Sequence, residues 1–418
     1  MRLINTHTIK LHEFYDESTL PRYAILSHTW GSDELTFQEL STLPSYPELE
    51  HPELENRRGW YKIKQCCVQA VADGLEYAWV DTTCIDKSSS AELSEAINSM
   101  FRWYKNSAVC YAYIDDIHLP ASSIPKIVVS PGDPTGHWTK YSGRMLPWGQ
   151  LAEARWFRRG WTLQELIAPD HIVFYVEGWK FIGNKTEFRN ALSAVTGIPV
   201  ETLMRRNPET RSVAHRMGWA ANRTTTRIED LAYCLMGIFD VNMPLLYGEG
   251  EKAFVRLQEE IMKDSDDQSL FAWKPVDTRN IATVYDIPAL PREEGISIFA
   301  NHPRQFASCS LVKPAAGDGE PYSLTNKGVR MKAPMISITE DIHILVLECH
   351  GMFGPLGIIV QKIHRRGSNR FFRHKYVDIL SLARTEINIS PQVQTVYLCK
   401  DIPTLGRATI ASGVYTMS

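Results

Sequence analysis

Tyr23-Ala24-Ile25-Leu26-Ser27-His28-Thr29-Trp30-Gly31 is the stretch on which the reading of this chain turns. Its apolar opening has the character of a strand buried on both faces, as in a parallel sheet. It breaks without transition into two hydroxyls, an imidazole, an indole and a glycine. In open α/β sheets, ligands bind in the crevice beyond the carboxyl ends of the strands. Ser27, His28 and Trp30 are therefore candidate walls of a site. On this stretch alone an ordinary turn weighs more, with Ser27 or Thr29 bonding backbone and Trp30 in the core.

Working outward, short apolar runs alternate with helical patterns, which is the signature of a parallel α/β sheet. Strands are expected at Tyr23–Ser27, Tyr77–Asp81, Ala108–Ile114 and His171–Val176. Gly59–Asp73 places Ile63, Cys66, Cys67, Ala70 and Val71 on one helical face. Ser89-Ser90-Ala91-Glu92 and Thr226-Arg227-Ile228-Glu229 read as capping boxes that open helices. The segment Leu119–Gln150, rich in proline and glycine, reads as a long loop, after which a helix is expected over Trp156–Ala168. A further helix is expected over Glu249–Asp264. From about Ser269 short alternating runs, among them Ile342–Leu347, Gly357–Val360 and Gln394–Leu398, indicate a mostly β C-terminal domain. The expected domains are 1–185 (α/β), 186–268 (a helical extension) and 269–418 (mostly β).

Composition sets bounds on function. The 418 residues are 44% hydrophobic and 22% charged, which suits a soluble globular protein of two or three domains. A formal net charge of -3 gives no argument for nucleic acid or an anionic membrane as partner. Neither a signal-peptide core nor an apolar stretch of membrane-spanning length is apparent. The 8 cysteines form no C-x-x-C pair and sit mostly in apolar runs, as in a reducing, cytoplasmic setting. No metal site is expected. Phosphate-loop, G-x-G-x-x-G and H-E-x-x-H motifs are absent.

Two further segments could carry chemistry. Tyr77-Ala78-Trp79-Val80 runs into Asp81-Thr82-Thr83-Cys84-Ile85-Asp86, so two carboxylates and a thiol follow a strand end. Cys84 with His28 can be drawn as a nucleophile pair, and His28, Asp81, Cys84 and Asp86 as a metal cluster. Neither has the orienting partner or the tight local spacing such sites need. In Arg159-Gly160-Trp161-Thr162-Leu163-Gln164-Glu165-Leu166, Trp161 and Glu165 stand i and i+4 and share a helical face. The plain alternative is an amphipathic helix whose Glu165 pairs with Arg158 or Arg159.

Together, Tyr23–Gly31, Trp79–Asp86 and Arg159–Pro169 resemble the signature blocks of the fungal heterokaryon-incompatibility (HET) domain. Trp219–Ile261, with W-A-A-N-R-T-T-T-R-I-E-D-L and L-L-Y-G-E-G-E-K-A-F, resembles the region C-terminal to those blocks in many such proteins, and Tyr322–Val329 is a weaker echo. The resemblance implies non-self recognition and regulated cell death when genetically different fungal cells fuse. HET domains are in turn similar to Toll/interleukin-1 receptor (TIR) domains, which implies a TIR-like, flavodoxin-like parallel sheet with flanking helices. Some TIR branches hydrolyse NAD, and Trp161–Glu165 matches their W-x-x-x-E helix. That likeness implies Glu165 as the catalytic carboxylate, with Ser27, His28, Trp30, Asp81, Cys84 and Trp161 lining a substrate pocket. NAD would be a substrate and no cofactor would be required. The first loop departs from those enzymes, with His28 and Thr29 where basic residues are common. Two main readings stand open: an NAD-consuming death effector, or a non-enzymatic module that signals by self-association in response to a protein trigger. A cysteine hydrolase acting through Cys84 is a third.

Overall fold

The computed structural model describes residues 1–43, 54–118, 148–205, 207–275, 295–316, 321–363, 369–375, 377–384 and 390–400. The expected loop at Leu119–Gln150 therefore falls almost wholly outside the described residues. Two compact units are present: Met1–Ile261 with Asn301–Ser310, and Met262–Ala300 with Leu311–Ser418.

The first unit is built on a sheet. Its elements are β1 (Arg2–Asn5), β2 (Leu11–Glu13), β3 (Tyr23–His28), α1 (Phe37–Thr42), α2 (Arg58–Ala72), β4 (Tyr77–Trp79), α3 (Asp81–Cys84), α4 (Ser90–Asn106), β5 (Val109–Ile114), α5 (Trp148–Glu153), α6 (Arg155–Arg158), α7 (Thr162–Ile167), β6 (Ile172–Val176) and β7 (Lys180–Asn184). The strand order is β2-β1-β4-β3-β5-β6-β7. Strands β4, β3, β5 and β6 are parallel, in the second-first-third-fourth order of a flavodoxin-type doubly wound sheet. Every residue of β3 is buried, as a strand covered on both faces requires.

The sheet is not parallel throughout, which corrects the expectation. β1 and β2 pair antiparallel on one side, and β7 pairs antiparallel with β6 on the other. β1 meets β4 through Ile4–Ala78 and Asn5–Tyr77 alone, too short a run to leave a periodic signal. β7 returns through a tight turn in which Gly178 and Trp179 both adopt positive φ.

The expected helices over Gly59–Asp73 and from Ser89 form as α2 and α4, with Ile63, Cys66, Cys67 and Ala70 of α2 and Ala96, Ile97 and Met100 of α4 in the core. Trp103 and Tyr104 pack edge-on against Trp79 at 5.7 and 5.9 Å. Only half of the first capping box forms. Ser89 accepts from the Glu92 N–H at 3.3 Å, while the Glu92 carboxylate turns to the Asp86 N–H at 2.8 Å.

The single helix expected over Trp156–Ala168 is broken into α6 and α7. Gly160 donates its N–H to the Thr224 carbonyl at 2.9 Å, and the Thr224 N–H donates to the Arg158 carbonyl at 2.6 Å. A neighbouring segment thus takes backbone groups that a continuous helix would use itself. A Cβ at position 160 would lie 2.5 Å from Thr225 Cγ2, so glycine is needed for the approach.

A helical extension completes the unit: α8 (Arg189–Thr196), α9 (Val200–Arg205), α10 (Val213–Gly218), α11 (Asp230–Tyr233), α12 (Met236–Phe239) and α13 (Lys252–Asp264). The capping box expected at Thr226 does not form. The Glu229 carboxylate accepts instead from the N–H groups of Gly248 and Gly250 at 2.8 and 3.1 Å. Gly250 has φ of 62°, and α13 accordingly starts at Lys252 rather than Glu249.

The second unit is mostly β, as expected. Its strands are β8 (Gly295–Ile296), β9 (Lys313–Pro314), β10 (Ser323–Thr325), β11 (Gly328–Ser337), β12 (Ile342–Gly351), β13 (Gly354–Lys362), β14 (Arg370–His374), β15 (Leu380–Ser381) and β16 (Gln392–Leu398). Pairings run β11-β16-β14-β13-β12 and return from β12 to β11, a closed circuit that leaves these five strands no open edge between them. Ile336, Ile342, Ile344 and Ile359 form part of its core. Arg373 is buried over the Trp273 ring at 3.8 Å and donates to the carbonyls of Phe271, at 2.8 Å, and Trp273.

Candidate functional site

Strand alternation sends Ser27 and His28 to different surroundings. Ser27 is completely buried, accepts the Trp156 indole N–H at 2.8 Å and donates its hydroxyl proton to the Glu165 carboxylate. Leu163 and Leu166 are wholly buried and anchor α7, so the helix cannot turn Glu165 away. Glu165 is only 6% exposed and pairs with neither Arg158 nor Arg159. Burial pushes its carboxyl up to about 7, the Asp81 charge adding to the rise while the Ser27 hydroxyl and Arg159 restrain it. A carboxyl so placed is poised between its acid and base forms near neutrality.

His28 places Nε2 3.1 Å from Asp81 Oδ1, and the Trp30 indole N–H donates to Asp81 Oδ2 at 2.8 Å. Burial works against ionisation of Asp81, but the His28 hydrogen bond and the charges of Lys87 and Arg159 outweigh it and hold the group below the usual carboxylate range. Trp30 is 40% exposed, with the Lys87 ammonium 3.6 Å and the Arg159 guanidinium 4.8 Å from its ring centroid. The loop behind it is pinned by Lys62 of α2, which donates to the Thr29 carbonyl at 2.9 Å and pairs with Glu34. Gly59 permits this, because a Cβ there would meet Leu35 N at 2.6 Å and Asp33 O at 2.7 Å.

A third wall comes from the helical extension. Thr224, strapped to Arg158 and Gly160, leads into Thr225, Thr226 and Arg227. Asp230 accepts the Trp161 indole N–H at 3.3 Å and the Tyr247 hydroxyl at 3.0 Å, and Arg227 lies over the Tyr247 ring at 4.3 Å. Buried Arg223 locks the strap from behind, donating to the Arg159 carbonyl at 2.8 Å and the Thr162 hydroxyl at 2.9 Å.

These walls enclose a cavity of about 610 Å³, within the range of small-molecule sites. Of the residues singled out from sequence, His28, Trp30, Asp81, Trp161 and Glu165 all line it. Ser27 and Cys84 do not. Ser27 stands behind Glu165 as its hydrogen-bond donor. Cys84 lies in the core, its sulfur accepting the Val80 N–H at 3.4 Å, and burial pushes its thiol up to about 12. A thiol so placed offers little thiolate and no access, which removes the structural basis for a cysteine nucleophile. Asp86 is likewise a turn residue, accepting from the Ser88 N–H at 2.9 Å. Among the described residues, no group of three or more His, Cys, Asp or Glu could hold a metal ion.

Sequence reasoning missed Lys87, Arg155, Thr224 to Arg227, Asp230 and Tyr247 as cavity walls. The last six lie within Trp219–Ile261, but nothing in their spacing distinguishes a cavity wall from a helix cap.

Residues 23–165 match the family model described as Heterokaryon incompatibility protein (HET), and residues 252–350 match a domain of unknown function, DUF8212. The chain is 46% identical over 246 residues to Vegetative incompatibility protein HET-E-1 of Podospora anserina. That similarity covers 59% of this chain and 16% of that protein. No solved structure matches. The HET resemblance read from three separated segments is thus supported, and the family match runs from the start of β3 to Glu165 itself.

Proposed function

We propose that this chain is an effector of fungal heterokaryon incompatibility and that its cavity cleaves the nicotinamide–ribose bond of NAD. The observation that carries the reading is Glu165, a buried carboxylate supported by Ser27 and facing a cavity of nucleotide size lined by indoles and cations. The order of the parallel strands supports the TIR-like part of the reading.

Cleavage develops positive charge on the ribose as the C1′–N bond breaks, as in glycoside hydrolysis. The bond's electron pair goes to the pyridinium ring, which leaves as neutral nicotinamide. Ionised Glu165 stabilises the developing cation, in surroundings where water screens it poorly. Water then bonds to C1′ and loses a proton, giving ADP-ribose. Trp30 or Trp161 offers a flat surface for nicotinamide, and Asp81 holds the Trp30 indole in place.

The test is incubation of the purified chain with NAD, reading nicotinamide release against Glu165→Gln. Release by the wild type, lost in the variant, supports the proposal. Absence of release, even at high protein concentration and after forced oligomerisation, overturns the cleavage reading in favour of an interaction module. Cell killing that survives Glu165→Gln at normal expression has the same consequence.

A further inference from the structure

Lys87, Arg158, Arg159 and Arg227 line the cavity, and none of them has an ion-pair partner among the described residues. Other cations nearby are neutralised: Arg155 pairs with Asp115 at 2.8 Å and Asp116 at 3.5 Å, and Lys62 pairs with Glu34. Lys87 and Arg159 lie instead over the Trp30 ring, and Arg227 over that of Tyr247. A guanidinium resting on a ring keeps its in-plane N–H donors for a carboxylate or phosphate.

We propose that these four cations form a subsite for the diphosphate of a nucleotide, built jointly by Lys87, the segment around Arg158 and the segment around Arg227. Charge favours a diphosphate over a carboxylate or a single phosphodiester. In the Glu165→Gln chain the carboxylates lining the cavity are Asp81 and Asp230, which the four cations exceed by two; with Glu165 ionised the excess is one. A diphosphate bridge carries two negative charges. The backbone strap from Arg158 and Gly160 to Thr224 fixes the spacing of the two segments, because Arg227 follows only three residues beyond it. Arg227 also lies outside the stretch that matches the HET model, so the subsite is composite: one of its four cations comes from the helical extension. The inference shares its cavity with the cleavage reading but does not depend on bond breaking.

The experiment is calorimetric titration of the full chain carrying Glu165→Gln with ADP, AMP and adenosine, repeated with Arg158→Ala and Arg227→Ala added together. ADP is expected to bind at least tenfold more tightly than AMP, with adenosine weaker still. The added pair of substitutions should cost ten- to a hundredfold in ADP affinity at an unchanged melting temperature. Because Arg158 and Arg227 are exposed, loss of fold is not expected; if the melting temperature does fall, Arg158→Lys with Arg227→Lys must retain most of the affinity. No ADP binding at millimolar concentration overturns the subsite, as does equal binding of ADP and adenosine, or affinity indifferent to both substitutions. ADP binding without nicotinamide release by the wild type would leave the subsite standing and remove only the cleavage reading.

Discussion

At the scale of single residues, Glu165 links protonation to both stability and chemistry. Its carboxyl rises from 4.5 to about 7 on folding, which corresponds to about 3 kcal/mol. Between those values the folded chain holds a proton that the unfolded chain has released. Stability from this group is therefore full below about pH 4.5 and is lost as pH rises through about 7. Glu165→Gln escapes that loss, so urea unfolding at pH 8 should show the variant more stable than wild type by up to about 3 kcal/mol, with the difference shrinking towards pH 4.5. Chemistry runs the other way. Nicotinamide release requires the ionised form, so its rate should rise with pH to a plateau above about 7 and fall about a hundredfold or more in Glu165→Gln. Ser27→Ala removes the hydroxyl that favours the ionised carboxylate, and should move the rising limb to higher pH. Cys84→Ala should leave nicotinamide release within about twofold of wild type, since its sulfur faces the core and not the cavity.

At the scale of elements, two glycines set the cavity's shape through close approach rather than turn geometry. Gly59 lets α2 press against the loop after β3, and Gly160 lets the break between α6 and α7 dock on Thr224 and Thr225. Helix propensity alone would make Gly59→Ala stabilising by roughly 1 kcal/mol. The added Cβ would instead meet backbone atoms at 2.6 and 2.7 Å, which cannot yield as a side chain can. The expected result is a loss of about 1–3 kcal/mol by chemical denaturation. Gly160→Ala meets Thr225 Cγ2 at 2.5 Å and Cys234 Sγ at 3.1 Å, and should weaken ligand binding together with stability by loosening the strap. The broken helix shows why elements were only partly legible. The helical pattern over Trp156–Ala168 was legible, but which carbonyl would receive the Gly160 N–H depended on a segment more than sixty residues away.

At the scale of the whole molecule, the first unit needs its helical extension for more than the cavity. Gly237 of α12 lies against Phe101 of α4, and buried Arg223 bonds the backbone just before α7. A chain ending at residue 185 should therefore lose cooperative thermal unfolding, whereas the full chain should show it by calorimetry. No helix among the described residues is long and apolar enough to cross a membrane. Sequence by itself determined the parallel core strands β3 to β6, the helices α2 and α4, the β character of the second unit, and the grouping of His28, Trp30, Asp81, Trp161 and Glu165. The strands and helices follow from local rules, because side-chain periodicity and abrupt strand ends are written in consecutive residues. The grouping of Trp161 and Glu165 with the strand-end residues came instead from the family resemblance. Tertiary structure alone decided that Ser27 would support Glu165 from behind, that Cys84 would be sealed in the core, and that Thr224 to Tyr247 would close the cavity. The physical reason is that a site charge, a buried thiol and a backbone strap are defined by their surroundings. Those surroundings are assembled from segments with no periodic relation along the chain. The junction at Leu26–Ser27 offered one candidate wall and, taken alone, read as an ordinary turn; the third wall became visible only once the chain had folded back upon it.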